Sequence, residues 1–157
     1  MKTATVKELK EELSTYSQKE LLAICLRLSR FKKENKELLT YLLFESKDEM
    51  AFIENVKAEI DFQFEQVNTK SYYFIKKSVR KILRSLKKYI RYSQKKQTEV
   101  EVLIYFCHKL SSFQPSINRN RVLQNLYQQQ VSNIRKTITK LHEDLQYDYE
   151  RELEALP

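Results

Sequence analysis

Along most of the chain apolar residues return every three or four positions, the period of helices that lay one stripe on a core rather than the single alternation of strands. Four capping signatures punctuate that pattern: Thr5/Glu8, Ser17/Glu20, Ser46/Glu49 and Thr98/Glu101. In each, the hydroxyl can accept from the amide three residues on while the glutamate reaches back to the cap. Together they predict helices over about 5–14, 17–31, 34–45, 47–67, 70–94, 98–112 and 119–141, and a last segment from 143 to 155. Connections of two to four residues make neighbouring helices antiparallel. The loop SSFQPSINRN, 111–120, is the longest break, and Pro115 fixes it as a stop. The expected fold is all-α: a single domain spanning 1–157, built of about seven to eight antiparallel helices as a helical bundle or a short stack of αα-hairpins.

Two stripes within this pattern stand out. Tyr127, Val131, Ile134, Ile138, Leu141 and Leu145 are spaced 4-3-4-3-4, a coiled-coil-like seam. No proline interrupts 120–156, so one long helix there is an option. The stripe then serves either the domain's own core or a homodimer seam, leaving monomer and homodimer both open. The second stripe lies in SYYFIKKSVRKILRSLKKYIRYSQKK, residues 71–96, which holds ten lysines and arginines and no acid. At 100° per residue, Ile75, Val79, Ile82, Leu83, Leu86, Tyr89 and Ile90 fall within an arc of about 120°. Lys76, Lys77, Arg80, Lys81, Arg84, Lys87, Lys88 and Arg91 occupy the opposite side. Solvated helix faces ordinarily interleave charges of both signs, since like charges three or four apart repel. This face does not.

Charge elsewhere sharpens the question. The whole chain carries a net +8, yet residues 48–65 hold six acids against Lys57, and residues 142–157 six acids against Arg151. Those two acidic segments can cover the cationic face from inside, which would make it structural. Otherwise the face is left for an external polyanion, a nucleic acid first, with an acidic protein or an anionic membrane surface as other options. Phosphate contacts need only Lys and Arg along one face, and Tyr72, Tyr73, Phe74 or Tyr92 could stack on bases. The aromatics at 72–74 are expected to enter the core instead.

Composition removes many functions. There is no glycine, where average usage of ~7% would supply about 11. The P-loop, the dinucleotide-binding fingerprint and the nucleophile elbow all need glycine for close backbone approach or positive φ, so none is present in standard form. The longest apolar runs, such as 102–107, fall far short of the ~20 residues a membrane span requires. The N-terminus shows no secretory signal, and two scattered cysteines make no disulfide framework, so a cytoplasmic, reducing setting is expected.

Candidate chemistry is sparse. Cys107 and His108 are adjacent and so point about 100° apart on a helix, which suits a core cysteine beside a surface histidine rather than a shared metal. His142 with Glu143 and Asp144 is a cluster in one dimension only. Neither histidine has the Glu-x-x-His partner of a bundle metal site. Glu45/Glu49 and Glu54/Glu59 have the spacing of a solvated helix face as much as of an acid/base pair. No metal, cofactor or catalysis is expected. Thr5–Leu13, TVKELKEEL, resembles the first helix of SAP DNA-binding domains. That family continues through a Gly-Leu turn and a second glycine, where this chain reads Ser14-Thr15-Tyr16-Ser17, so no function is carried over. The functional expectation is a non-catalytic interaction or scaffold protein with a protein partner. Nucleic-acid binding through residues 70–96 is the alternative.

Overall fold

A computed structural model describes residues 1–157 and is all-helical. Its helices are α1 (Val6–Leu13), α2 (Gln18–Phe31), α3 (Lys33–Leu43), α4 (Glu49–Glu65), α5 (Tyr72–Ser93), α6 (Lys96–Ser111), α7 (Arg121–Ile138) and α8 (Glu143–Glu154), with single 3-10 turns at Glu45–Lys47 and Ile117–Arg119. Each lies within a few residues of its expected span. The chain divides into two compact units, 1–44 and 45–157.

In the unit 1–44, α2 packs against α3 across the single extended residue Lys32. The end of α2 is closed by the amide nitrogen of Asn35, which donates to the Leu28 carbonyl at 2.8 Å. Both capping boxes expected here form. Thr5 accepts from the Glu8 amide and Ser17 from the Glu20 amide, while each glutamate accepts from its cap residue's backbone. These reciprocal bonds hold the two carboxyls below the usual range, the backbone bond being the larger cause.

The unit 45–157 is organised around α6. Its residues Val100, Val102, Leu103, Ile104, Phe106, Cys107 and Leu110 are all buried, so the helix is apolar on most of its circumference. A helix of that kind belongs at the centre of its layer, and α6 packs on α4, α5, α7 and α8. Each of those four supplies a stripe: Phe52, Ile53, Val56, Ile60 and Phe64 from α4, Ile75 to Leu86 from α5, Leu123, Tyr127, Ile134 and Ile138 from α7, and Tyr149 and Leu153 from α8.

Two expected capping boxes do not form. Ser46 lies in the 3-10 turn and Asp48 caps α4 instead, accepting from the Ala51 amide at 3.0 Å. Helix α6 starts at Lys96, two residues before Thr98, so Thr98 is inside the helix and buried. The glutamates of both pairs have been recruited by distant partners. Glu49 accepts from the Ser93 and Thr98 hydroxyls and pairs with Lys95 at 3.0 Å. Glu101 accepts from the Tyr149 hydroxyl at 2.7 Å and faces Lys57 at 3.8 Å.

The option of one helix over 120–156 is also not what forms. Helix α7 ends at Ile138, residues 139–142 turn, and His142 caps α8 by accepting from the Asp144 amide. The turn breaks the 4-3-4-3-4 seam. Tyr127, Ile134 and Ile138 are buried in the unit's core, Val131 is half-buried on the same helix, and Leu141 and Leu145 are half-buried beyond the break.

Candidate nucleic-acid interface

Helix α5 runs 22 residues, about 33 Å. Ile75, Val79, Ile82, Leu83 and Leu86 are buried, and burial at about 1.5–3 kcal/mol each outweighs by several-fold the repulsion of its like charges, a few tenths of a kcal/mol per pair. The apolar stripe therefore holds the helix whatever faces its other side. Its two ends are tied down. The Tyr72 hydroxyl donates to the Ser116 carbonyl at 2.8 Å at one end, and the Ser93 hydroxyl donates to Glu49 at the other. The turn into α6 needs positive φ. In a chain without glycine, Gln94 takes it at φ 57°, a left-handed conformation that glycine would adopt without the steric cost.

The eight basic residues span an arc of about 140° on the outer side. Lys77, Arg80, Lys81, Arg84, Lys87 and Arg91 are exposed, and Lys76 and Lys88 half-buried. Several acids of the unit are engaged away from this face. On α4, Asp61 accepts from the Tyr105 hydroxyl and pairs with Lys109 at 2.9 Å, both on α6. Glu54 pairs with Lys57 at 2.8 Å on its own helix, and Glu49 is committed to the α5–α6 corner. On α8, Asp144 lies 3.6 Å from His142, and Tyr149 turns to Glu101. Lys76, Lys77, Arg80, Lys81, Arg84, Lys87 and Arg91 make no ion pair with any carboxylate of the unit.

The aromatics correct another expectation. Tyr73 and Phe74 do not enter the core: they are 65% and 39% exposed, edge-to-face with ring centroids 5.3 Å apart. Tyr73 falls within the same arc as Arg80, Arg84 and Arg91, and Phe74 borders it. Tyr72 is held by Ser116, and Tyr92 is buried, so neither offers a free ring face.

Beside this face, between the C-terminal halves of α5 and α7, runs a groove of about 380 Å³ lined by Lys87, Arg91, Gln130, Asn133, Lys136 and Thr137 among others. Sequence reasoning missed it, because its two walls lie about forty residues apart.

A larger cavity of about 580 Å³ lies between α4, α6 and α8, with Lys57, Glu101, Tyr105, His108, Tyr149 and Glu152 in its wall. Its tyrosines have raised pKa values, Tyr105 to about 12, through burial first and then their hydrogen bonds to Asp61 and Glu101. Phenols held protonated beside carboxylates are structural donors here. Burial pushes the Cys107 thiol up to about 12 as well, while His108 is exposed, the arrangement expected of this adjacent pair. No group of three or more His, Cys, Asp or Glu is placed to hold a metal ion, and no helix is long and apolar enough to cross a membrane.

No protein-family model matches the chain, and neither a characterised protein nor a solved structure shows significant similarity to it.

Proposed function

We propose that this protein is a non-catalytic nucleic-acid-binding module that lays the outer face of α5 along a phosphate backbone in a reducing, cytoplasmic compartment. The observation that carries this reading is the set of seven cations on one face, none paired with an acid, while Glu49, Glu54 and Asp61 of the preceding acidic segment are engaged elsewhere. From Lys76 to Arg91 the cations extend over about 22 Å, the length of six or seven phosphates at ~3.4 Å per nucleotide. Tyr73 and Phe74 at one end supply ring faces on which unpaired bases can stack, which favours a single strand over a closed duplex. Side chains that contact only phosphates and ring faces read little sequence. Two free thiols, one exposed and one buried, agree with a reducing setting.

The test is binding of a fluorescent single-stranded oligonucleotide at several salt concentrations. Five phosphate contacts on a single strand give a slope of log K against log salt of about −3.5, and so a loss of about 10²-fold in affinity between 50 and 200 mM salt. Reversal of Lys77, Arg80 and Arg84 to glutamate should weaken binding at least tenfold and flatten the slope while leaving the thermal melt unchanged. Tyr73→Ala should cost about fivefold or more. A flat salt dependence, or unaltered affinity in the triple reversal, sinks the proposal. Anionic vesicles bound while the oligonucleotide is ignored would assign the face to a membrane surface instead.

A further inference from the structure

We infer that the groove between α5 and α7 holds a single nucleotide unit of the bound strand, its phosphate against Lys87, Arg91 and Lys136 and its base edge donating to Gln130. This rests on the nucleic-acid reading above and adds a second element to it. Three observations meet in the groove. Lys87 and Arg91 belong to both the α5 face and the groove wall, so a strand following the face arrives at its mouth. Lys136, from α7, adds a cation on the opposite wall, and like Lys87 and Arg91 it has no carboxylate partner. The one acid present, Glu99, is already engaged by Lys96 at 3.4 Å and by the Thr137 hydroxyl at 3.2 Å. The volume, about 380 Å³, falls in the range of small-ligand sites.

The third observation is Gln130. It is 1% exposed, and its Oε1 is the sole buried side-chain polar atom of the protein without a hydrogen-bond partner. Its Nε2 donates to the Leu126 carbonyl of its own helix, so Oε1 is the side-chain atom left without a partner. Buried acceptors without partners are rare because each costs the desolvation of the group. A glutamine in the core beside Leu103 and Ile134 would be replaced by leucine at no loss if packing were its only task. A hydrogen-bond donor is what it needs. Every nucleobase carries one on its pairing edge, adenine and cytosine as an amine and guanine and uracil or thymine as a ring N–H. The phosphodiester of a strand carries no hydrogen to donate at neutral pH, and a tetrahydrofuran abasic unit keeps that phosphate while lacking the base's N–H. An anion joined to an N–H-bearing ring is thus the ligand chemistry the groove satisfies on both counts.

The experiment compares a base-containing oligonucleotide with one carrying a single abasic site placed in turn along the strand, on the full chain and on Gln130→Leu and Lys136→Glu. Apart from the position stacked on Tyr73, one abasic position should weaken binding about fivefold or more in the unaltered protein and the others little. Gln130→Leu should abolish that position's effect while raising or leaving unchanged the melting temperature, a combination that a packing role does not produce. Lys136→Glu should weaken binding about tenfold although the residue lies off α5. Equal affinity for all abasic positions other than the one stacked on Tyr73, or oligonucleotide binding unaltered by both substitutions, overturns the nucleotide pocket. If Lys77, Arg80 and Arg84 reversal still abolishes binding in that case, the α5 reading survives alone. If the oligonucleotide does not bind at all, both fall together.

Discussion

The two units of the chain use the same local grammar to opposite ends. In 1–44 three amphipathic helices form, yet Tyr41 is the only buried residue, and Val6, Leu22, Leu28 and Phe31 are each more than half exposed. In 45–157 the stripes of four helices close on α6, and Ile75, Val79, Val100, Phe106 and Leu123 have no measurable exposure. Amphipathic spacing and good caps suffice to write a helix, and a core needs in addition one element apolar enough to be surrounded. The capping boxes make the same point from the polar side. The two that form lie in the unit without a core, where nothing competes for Glu8 and Glu20. The two that fail lie in the unit with one, where Glu49 and Glu101 are reached by hydroxyls and ammonium groups from forty or more residues away.

Breaking the centre of the larger unit should give the largest effect. Phe106→Ala is expected to destabilise by about 3–5 kcal/mol in a denaturant titration, because α6 has neighbours on most sides and the cavity cannot collapse. Leu22→Ala, an equally apolar truncation in the smaller unit, should cost less than about 0.5 kcal/mol. Comparable losses at the two sites would erase the distinction between the units.

The cysteines probe the same contrast, one in each unit. Cys25 is exposed, and Cys107 is fully buried with its thiol pushed up to about 12, by burial alone. A disulfide exchange reagent at pH 8 should modify one thiol at once and the second only as denaturant unfolds the chain. Rapid titration of both thiols in native buffer would show that the core around α6 opens readily.

A smaller effect belongs to Glu152, whose carboxyl is raised above the ordinary 4.5 by burial, then by Glu101 and Asp148, against a lowering by Lys57. A raised carboxyl disfavours folding once ionised, so its penalty is absent in acid and grows as pH rises through the folded value. Glu152→Gln should therefore raise stability at pH 7 by a few tenths of a kcal/mol, the residue being exposed and screened, with no gain at about pH 3.5. A loss of stability at pH 7 would mean that the carboxylate is a useful partner of Lys57.

The helices, their order and the sorting of α5 into an apolar and a cationic side were legible in the sequence, because each depends on residues three or four apart. So was the burial of Cys107 beside an exposed His108, since one turn of helix dictates it. The N-terminal start of α6 and the cap of α4 were not, because Thr98 and Glu49 answer to each other across the fold rather than to their own turns. Tyr73 and Phe74 were expected inside, yet their places on the wheel put them within and beside the cationic arc, where no helix of the unit covers them.

What the sequence determined by itself is a glycine-free, all-helical chain with one helix charged along its outer side. Tertiary structure alone decided what that side meets. It drew Asp61 and Glu101 into contacts on and around α6, and set Lys136 and Gln130 of α7 beside Lys87 and Arg91 of α5. The physical reason is range. Backbone hydrogen bonds and apolar spacing act within a turn or two and are written locally, whereas the partner a charge or an amide finds depends on which distant helix packing brings beside it.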